Sequence, residues 1–202
     1  MQLLKKILEK KRFKADDLIM GELDLMIKLI NLISKSDFQE GKTQSIDSIL
    51  EIELEYKKHS DLFIQEFEKS SLPFFWQDIF YVGMALRRIV DLFKSFYSKQ
   101  VIFRSKYGFT LLFDNELTIL NNIRSFFEEY LHNKKYVSNL LTTNAYEIDK
   151  YTKNCLDVIS SSAFNSFEYL KVYKLAEVFE RINNENKIIN DLLRKIIIGT
   201  NI

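Results

Sequence analysis

Four i, i+4 pairs in the chain, each carrying one acid, could do chemistry together: Glu55 with His59, Arg87 with Asp91, Ala145 with Asp149, and Glu180 with Asn184. A step of four places both members on one face of a helix. Acids projected from two neighbouring helices can cage a hard cation or, with histidine added, iron or manganese. Glu55, His59, Asp91, Asp149 and Glu180 are therefore the candidate metal ligands. A cage needs several convergent oxygens, and each pair holds one acid rather than two. The competing reading is solvated helix faces with a histidine at the edge of the core.

Other chemistry finds little support. Gly41-Lys42-Thr43 ends like a phosphate-binding loop, but Ser36 occupies the position where that loop needs its first glycine, and no strand precedes it. His59 and His132 are the only histidines, and no HExxH, nucleophile elbow or CxxC occurs. Cys155 stands at helical spacing among apolar residues, which predicts a packed thiol rather than a nucleophile, and a single cysteine cannot form an internal disulfide. The expectation is a protein that is not an enzyme, in a reducing, cytoplasmic setting.

Elements must position these residues, and the composition says which kind. Seventeen Phe and ten Tyr in 202 residues, with 47% hydrophobic content, supply a real core. Five Gly and one Pro are too few for the turns of an all-β protein. The fold class expected is all-α. The formal net charge of +1 gives no bulk attraction to nucleic acid, so none is expected as a partner.

No apolar run reaches the ~20 residues that span a bilayer, since Glu22, Asp24 and Lys28 break the longest one. The start, MQLLKKILEKKRFK, lacks a secretory signal's apolar stretch and cleavage site and is expected to be retained. Its Leu3, Leu4, Ile7, Leu8 and Phe13 alternate with lysines and arginine. That basic amphipathic segment could lie on anionic lipid, giving peripheral contact with the inner face of a membrane, or pack on the bundle.

Six helices can be placed. Ile19, Leu23, Met26, Ile30 and Ile33 set the first, from about Ala15 to Lys35. The second opens near Ser45 or Asp47 and carries Ile49, Ile52, Tyr56, His59, Phe63 and Phe67 on one stripe. Pro73 begins the third, because proline at a helix start loses no hydrogen bond. Its core face is Ile79, Val82, Leu86, Ile89, Phe93 and Phe96, with Arg87 on the flank and Arg88 pointing nearly away. Phe74, Phe75 and Trp76, where the loop enters it, could anchor a partner or staple onto the bundle. A break at Tyr107-Gly108 precedes helices over Asp114 to His132, Lys135 to Ile159, and Asn165 to Ile198. In the last, Asn183-Asn184-Glu185-Asn186 interrupts the stripe of Leu175, Val178, Ile182, Ile189, Leu192 and Ile196, and puts Glu185 on the apolar face.

The two sets of three helices suggest a duplication, with residues 1–107 as one repeat and 108–202 as the other. Leu86-Arg-Arg-Ile-Val-Asp91 is echoed 93 residues on by Phe179-Glu-Arg-Ile-Asn-Asn184, and Glu55-x-x-x-His59 is echoed 90 residues on by Ala145-x-x-x-Asp149.

On these segments the chain resembles the PhoU-like phosphate-uptake regulators, in the subgroup of Pit accessory proteins. The likeness runs through Glu55 to His59, Pro73, Asp78-Ile79, Ala85-Leu86-Arg87-Arg88-Ile89-Val90-Asp91, Ala145 to Thr152, and "LAEVFERINN" from Leu175 to Asn184. The resemblance implies six helices as two pseudo-symmetric three-helix bundles. It also implies metal clusters on the acidic motifs and a cytoplasmic role beside a Pit-type phosphate permease.

Departures from the family pattern bear on the metal. Arg87 and Arg88 stand where relatives place acids, Ala145 has lost a carboxylate, and His59, Asn184 and Arg181 replace others. A guanidinium stays charged at physiological pH and repels a nearby cation. Metal affinity is therefore expected to be weak or lost in at least the first half, with no cofactor or a weakly held divalent or trivalent metal, and Arg87 is expected to pair with a carboxylate such as Glu55 or Asp91. A phosphate or other anion on the arginines is a minor alternative. The function implied is a non-catalytic regulator or accessory protein docked on the cytoplasmic face of the permease. A metal-binding bundle holding iron, manganese or zinc and a membrane-surface scaffold are the alternatives, and a homo-oligomer is a further partner expectation.

Overall fold

The computed structural model describes the backbone of residues 2–35, 43–68, 76–99, 109–130, 132–160 and 166–199, and most side chains between 15 and 199 within those segments. Six helices run in order: α1 (Gln2–Lys35), α2 (Thr43–Glu68), α3 (Trp76–Lys99), α4 (Phe109–Glu129), α5 (Lys134–Ser160) and α6 (Ser166–Gly199). The protein is all-α, and among the described residues there is no strand.

The apolar stripes explain where each helix lies. Ile19, Leu23, Met26, Ile30 and Ile33 on α1 are buried, as are Ile79, Val82, Leu86, Ile89 and Phe93 on α3 and Leu175, Ile182, Ile189, Leu192 and Ile196 on α6. On α2 the stripe is buried at Ile49, Ile52, Tyr56 and Phe63, while His59 and Phe67 are half-buried. Spacings of three and four hold these residues on one side of each helix, so burial of that side fixes its rotation.

Three helix starts differ from the sequence expectation, α2 beginning at Thr43 rather than Ser45 or Asp47, while the expected start of the third helix at Pro73 lies outside the described residues. α1 begins at Gln2 rather than Ala15, since the lysine- and leucine-rich segment before Ala15 contains good helix formers and no breaker. α4 begins at Phe109 rather than Asp114, because Phe109, Leu112 and Phe113 already belong to its buried face. At its far end α4 stops at Glu129, and His132 lies exposed in the turn that follows. Asn133 caps α5, its side-chain oxygen accepting a hydrogen bond of 3.1 Å from the Tyr136 backbone N–H.

Within the first half α1, α2 and α3 all touch one another, and so do α4, α5 and α6 in the second. Across the halves α1 packs on α4, while α3 and α6 form the most extensive helix pair in the molecule. One continuous apolar core runs through all six helices. At its centre Phe93 of α3 meets Phe113 of α4 and Phe179 of α6, with ring centroids 5.8 and 5.9 Å away, and Phe113 and Phe179 meet edge to face at 5.1 Å. Such pairs add about 0.5–1.5 kcal/mol each beyond the area they bury. Tyr130, at the end of α4, donates its hydroxyl to the buried Asp16 of α1 at 3.0 and 2.9 Å, a second tie between the halves. The expected repeat boundary at 107/108 and the aromatics Phe74 and Phe75 lie outside the described residues, as do the side chains of Trp76, Phe96 and the basic start.

Candidate functional site

The five candidate ligands sit on four helices: Glu55 and His59 on α2, Asp91 on α3, Asp149 on α5 and Glu180 on α6. Glu55, Asp91, Asp149 and Glu180 are exposed, and His59 is half-buried. Among the described residues, no three of His, Cys, Asp or Glu come together in a group that could hold a metal ion. The His59 imidazole instead packs against the backbone of α1. A Cβ at Gly21 would stand 2.5 Å from His59 Nε2, so only glycine admits the ring there. Burial holds the imidazole below its usual pKa, with Glu55 opposing that shift, and Nδ1 is buried without a hydrogen-bond partner.

The two arginines of α3 each reach a carboxylate. Arg87 donates to Asp61 of α2 at 3.1 Å, and not to Glu55 or Asp91 as expected from the sequence. Asp61 lies six residues beyond Glu55 on α2, on the side that Arg87 of α3 reaches. Arg88 pairs at 2.8 Å with Glu185 of α6. Glu185, the acid that interrupts the apolar stripe, is thus drawn to the α3–α6 seam by a cation from the other helix.

Two further acids have no counterpart among the sequence candidates. Glu22 on α1 and Glu116 on α4 are wholly buried, each in the first helix of its half. Burial pushes the Glu22 carboxyl up to about 8. The Ser60 hydroxyl and the Arg87 charge act the other way, although neither Glu22 oxygen has a hydrogen bond of full geometry. Burial likewise pushes Glu116 up to about 8, opposed by Asn186, whose amide nitrogen donates to Glu116 Oε2 at 2.6 Å. Both acids are therefore neutral at pH 7. A buried tyrosine accompanies each one: Tyr56 of α2 feels the charge of Glu22, and Tyr151 of α5 feels that of Glu116. Burial raises both phenols well above their usual range, so they stay protonated.

In the second half, amides surround the acid. Asn183, Asn186 and Asn190 lie along one face of α6 and are all buried. Asn183 donates to the Ile148 carbonyl at 3.0 Å and to Thr152 Oγ1 at 2.7 Å. Asn144 of α5 bridges outward, donating to Asn190 at 3.4 Å and accepting from Asn122 of α4 at 3.3 Å. Asn154 donates to Asn115 at 2.6 Å. The polar run that breaks the α6 stripe thus hydrogen-bonds α6 to α5 and α4. Cys155 is buried, as its spacing predicts, and its thiol is pushed up to about 12, chiefly by burial.

Sequence reasoning noted the α6 asparagines, took Glu22 only as a charge that interrupts an apolar run, and passed over Glu116. A signal was present. Glu22 occupies a stripe position between Ile19 and Leu23, and Glu116 one between Phe113 and Ile119. Comparison with protein-family models, with curated proteins and with solved structures finds no match to this chain.

Proposed function

We propose that this protein is a non-catalytic regulator or accessory protein of inorganic phosphate transport, docked on the cytoplasmic face of a Pit-type phosphate permease, with metal motifs that have degenerated. The observation that carries this reading is the pairing of Arg87 with Asp61 and of Arg88 with Glu185. At the positions where the PhoU-like pattern has acids, this chain has cations, and both are engaged in ion pairs within the bundle. The all-α fold of six helices, with each set of three in mutual contact, accords with the same resemblance.

Exposed apolar side chains favour a binding role over a solitary one. Leu50, Leu54 and Leu62 are exposed on α2, at 49%, 55% and 54%, the first two one turn apart and the third two turns further on, past Lys58. A row of this kind suits an apolar partner surface. Among the described residues no helix is long and apolar enough to cross a membrane, so contact with a permease would be made from the side.

The test is co-purification of the tagged full chain with a Pit-type phosphate permease of the same genome, alongside phosphate uptake in cells lacking the protein. The reading predicts a complex that survives detergent extraction, and a change in uptake on deletion that the intact gene reverses. A chain that never co-purifies, with uptake unchanged by deletion, contradicts it.

A further inference from the structure

The two buried acids have different electrostatic surroundings. In the first half Arg87 supplies a fixed positive charge that acts on both Glu22 and Tyr56. The second half repeats the acid and the phenol as Glu116 and Tyr151, yet among the described residues no basic side chain perturbs Glu116; only burial and Asn186 act on it. Four buried oxygens at this junction of α4, α5 and α6 have no hydrogen-bond partner: Glu116 Oε1, Tyr151 OH, Asn183 Oδ1 and Asn186 Oδ1.

Hydrogen bonds and sequence neighbours place the groups that carry these oxygens at one junction. The Asn186 nitrogen is engaged by Glu116, which leaves the amide oxygen as a spare acceptor. Asn183 lies one turn earlier on the same face of α6, its nitrogen engaged by Ile148 and by Thr152, the residue next to Tyr151. Unpaired buried oxygens each cost roughly 1–3 kcal/mol, so four at one helix junction call for a shared partner.

We propose that the junction of Glu116, Tyr151, Asn183 and Asn186 is a binding site for one dehydrated alkali cation, sodium or potassium. Oxygen donors alone select a hard cation. The single carboxylate balances a single charge, whereas a divalent ion would leave net positive charge beside the buried Phe179 and Ile182. The nearby Cys155 stays a thiol and offers no soft ligand. In the first half Glu22 Oε1, Glu22 Oε2 and Tyr56 OH are likewise buried without a hydrogen-bond partner, but the fixed Arg87 charge that acts on both groups repels a cation, so the Glu22 region takes none. None of Glu55, His59, Asp91, Asp149 and Glu180 takes part, and the proposal stands independently of any permease.

A proton and the cation compete for Glu116, so cation binding expels the proton and strengthens as pH rises. Thermal unfolding of the full chain is measured at about pH 9 and about pH 6 in sodium, potassium and choline chlorides of equal ionic strength. The expected Tm in sodium or potassium chloride at the higher pH exceeds that in choline chloride by roughly 3–5 °C at salt tenfold above the dissociation constant. The difference shrinks at the lower pH, vanishes in Glu116→Gln, and persists in Glu22→Gln. Coincident curves in the three salts overturn the proposal, as does a cation effect that survives Glu116→Gln. Should Glu116→Gln fail to fold, unbuffered wild-type protein near neutrality decides: sodium or potassium chloride releases protons that choline chloride does not, and the absence of release from both overturns the site.

Discussion

The Arg88 guanidinium of α3 lies 2.8 Å from the Glu185 carboxylate of α6, across the most extensive helix contact in the molecule. On α6 alone Glu185 looks out of place, since it interrupts the apolar stripe, whereas Arg88 is read from the sequence as facing away from the core of α3. Together they account for one another, because the seam that brings α3 and α6 together puts the cation of one beside the acid of the other.

This pair is worth little in stability and something in register. Arg88 is 48% exposed and Glu185 17%, so solvent screens the attraction, and a double-mutant cycle with Arg88→Ala and Glu185→Ala is expected to return about 0.2–1 kcal/mol of coupling in urea unfolding. The exchange Arg88→Glu with Glu185→Arg restores most of what either single reversal loses. A coupling of zero would separate the two residues energetically despite their contact.

Stability falls as pH rises through the neutral range. The unfolded chain releases the Glu22 and Glu116 protons near the ordinary 4.5, whereas the folded chain keeps both until about 8. Between those values the folded state binds more protons than the unfolded state. The stabilisation is therefore complete below about 4.5, declines toward about 8 and then levels. Each pH unit of mismatch is worth about 1.4 kcal/mol per group at full effect. Urea unfolding in choline buffers at about pH 5 and about pH 9 should show a smaller loss for Glu22→Gln and for Glu116→Gln than for wild type. An equal loss in all three proteins would contradict the assignment.

Gly83→Ala is expected to destabilise the fold by about 1–3 kcal/mol, although alanine favours a helix by about 1 kcal/mol. A Cβ there would stand 2.3 Å from Phe63 Cε1, and Phe63 is wholly buried against Phe67 at 4.6 Å and Phe80 at 6.1 Å. Phe63→Leu in the same chain should recover part of the loss. Gly21→Ala meets the half-buried His59 instead, which can swing toward solvent, so a near-neutral change in the denaturation midpoint is expected.

Periodicity exposed the helices because burial follows the 3.6-residue repeat; Ile79 through Phe93 on α3 could be read directly. It exposed the polar site poorly, since a stripe assigns a face and not the partner across from it. Arg87 was recognisable as a flanking cation, but its pairing with Asp61 rather than Glu55 depends on how α2 and α3 are rotated against each other. Glu22 was visible as an interruption of an apolar run. Its meaning as a buried neutral acid needed Tyr56, Ser60 and Arg87 from two other helices.

The proposed reading is that cations paired within this bundle stand where the PhoU-like pattern places metal-binding acids, so that the metal clusters of that pattern are lost. Incubation of the pure full chain with iron, manganese or zinc, followed by desalting against a chelator and measurement of metal per chain, tests it most directly. The account predicts far less than one ion per chain. A stoichiometric, chelator-resistant cluster would contradict it.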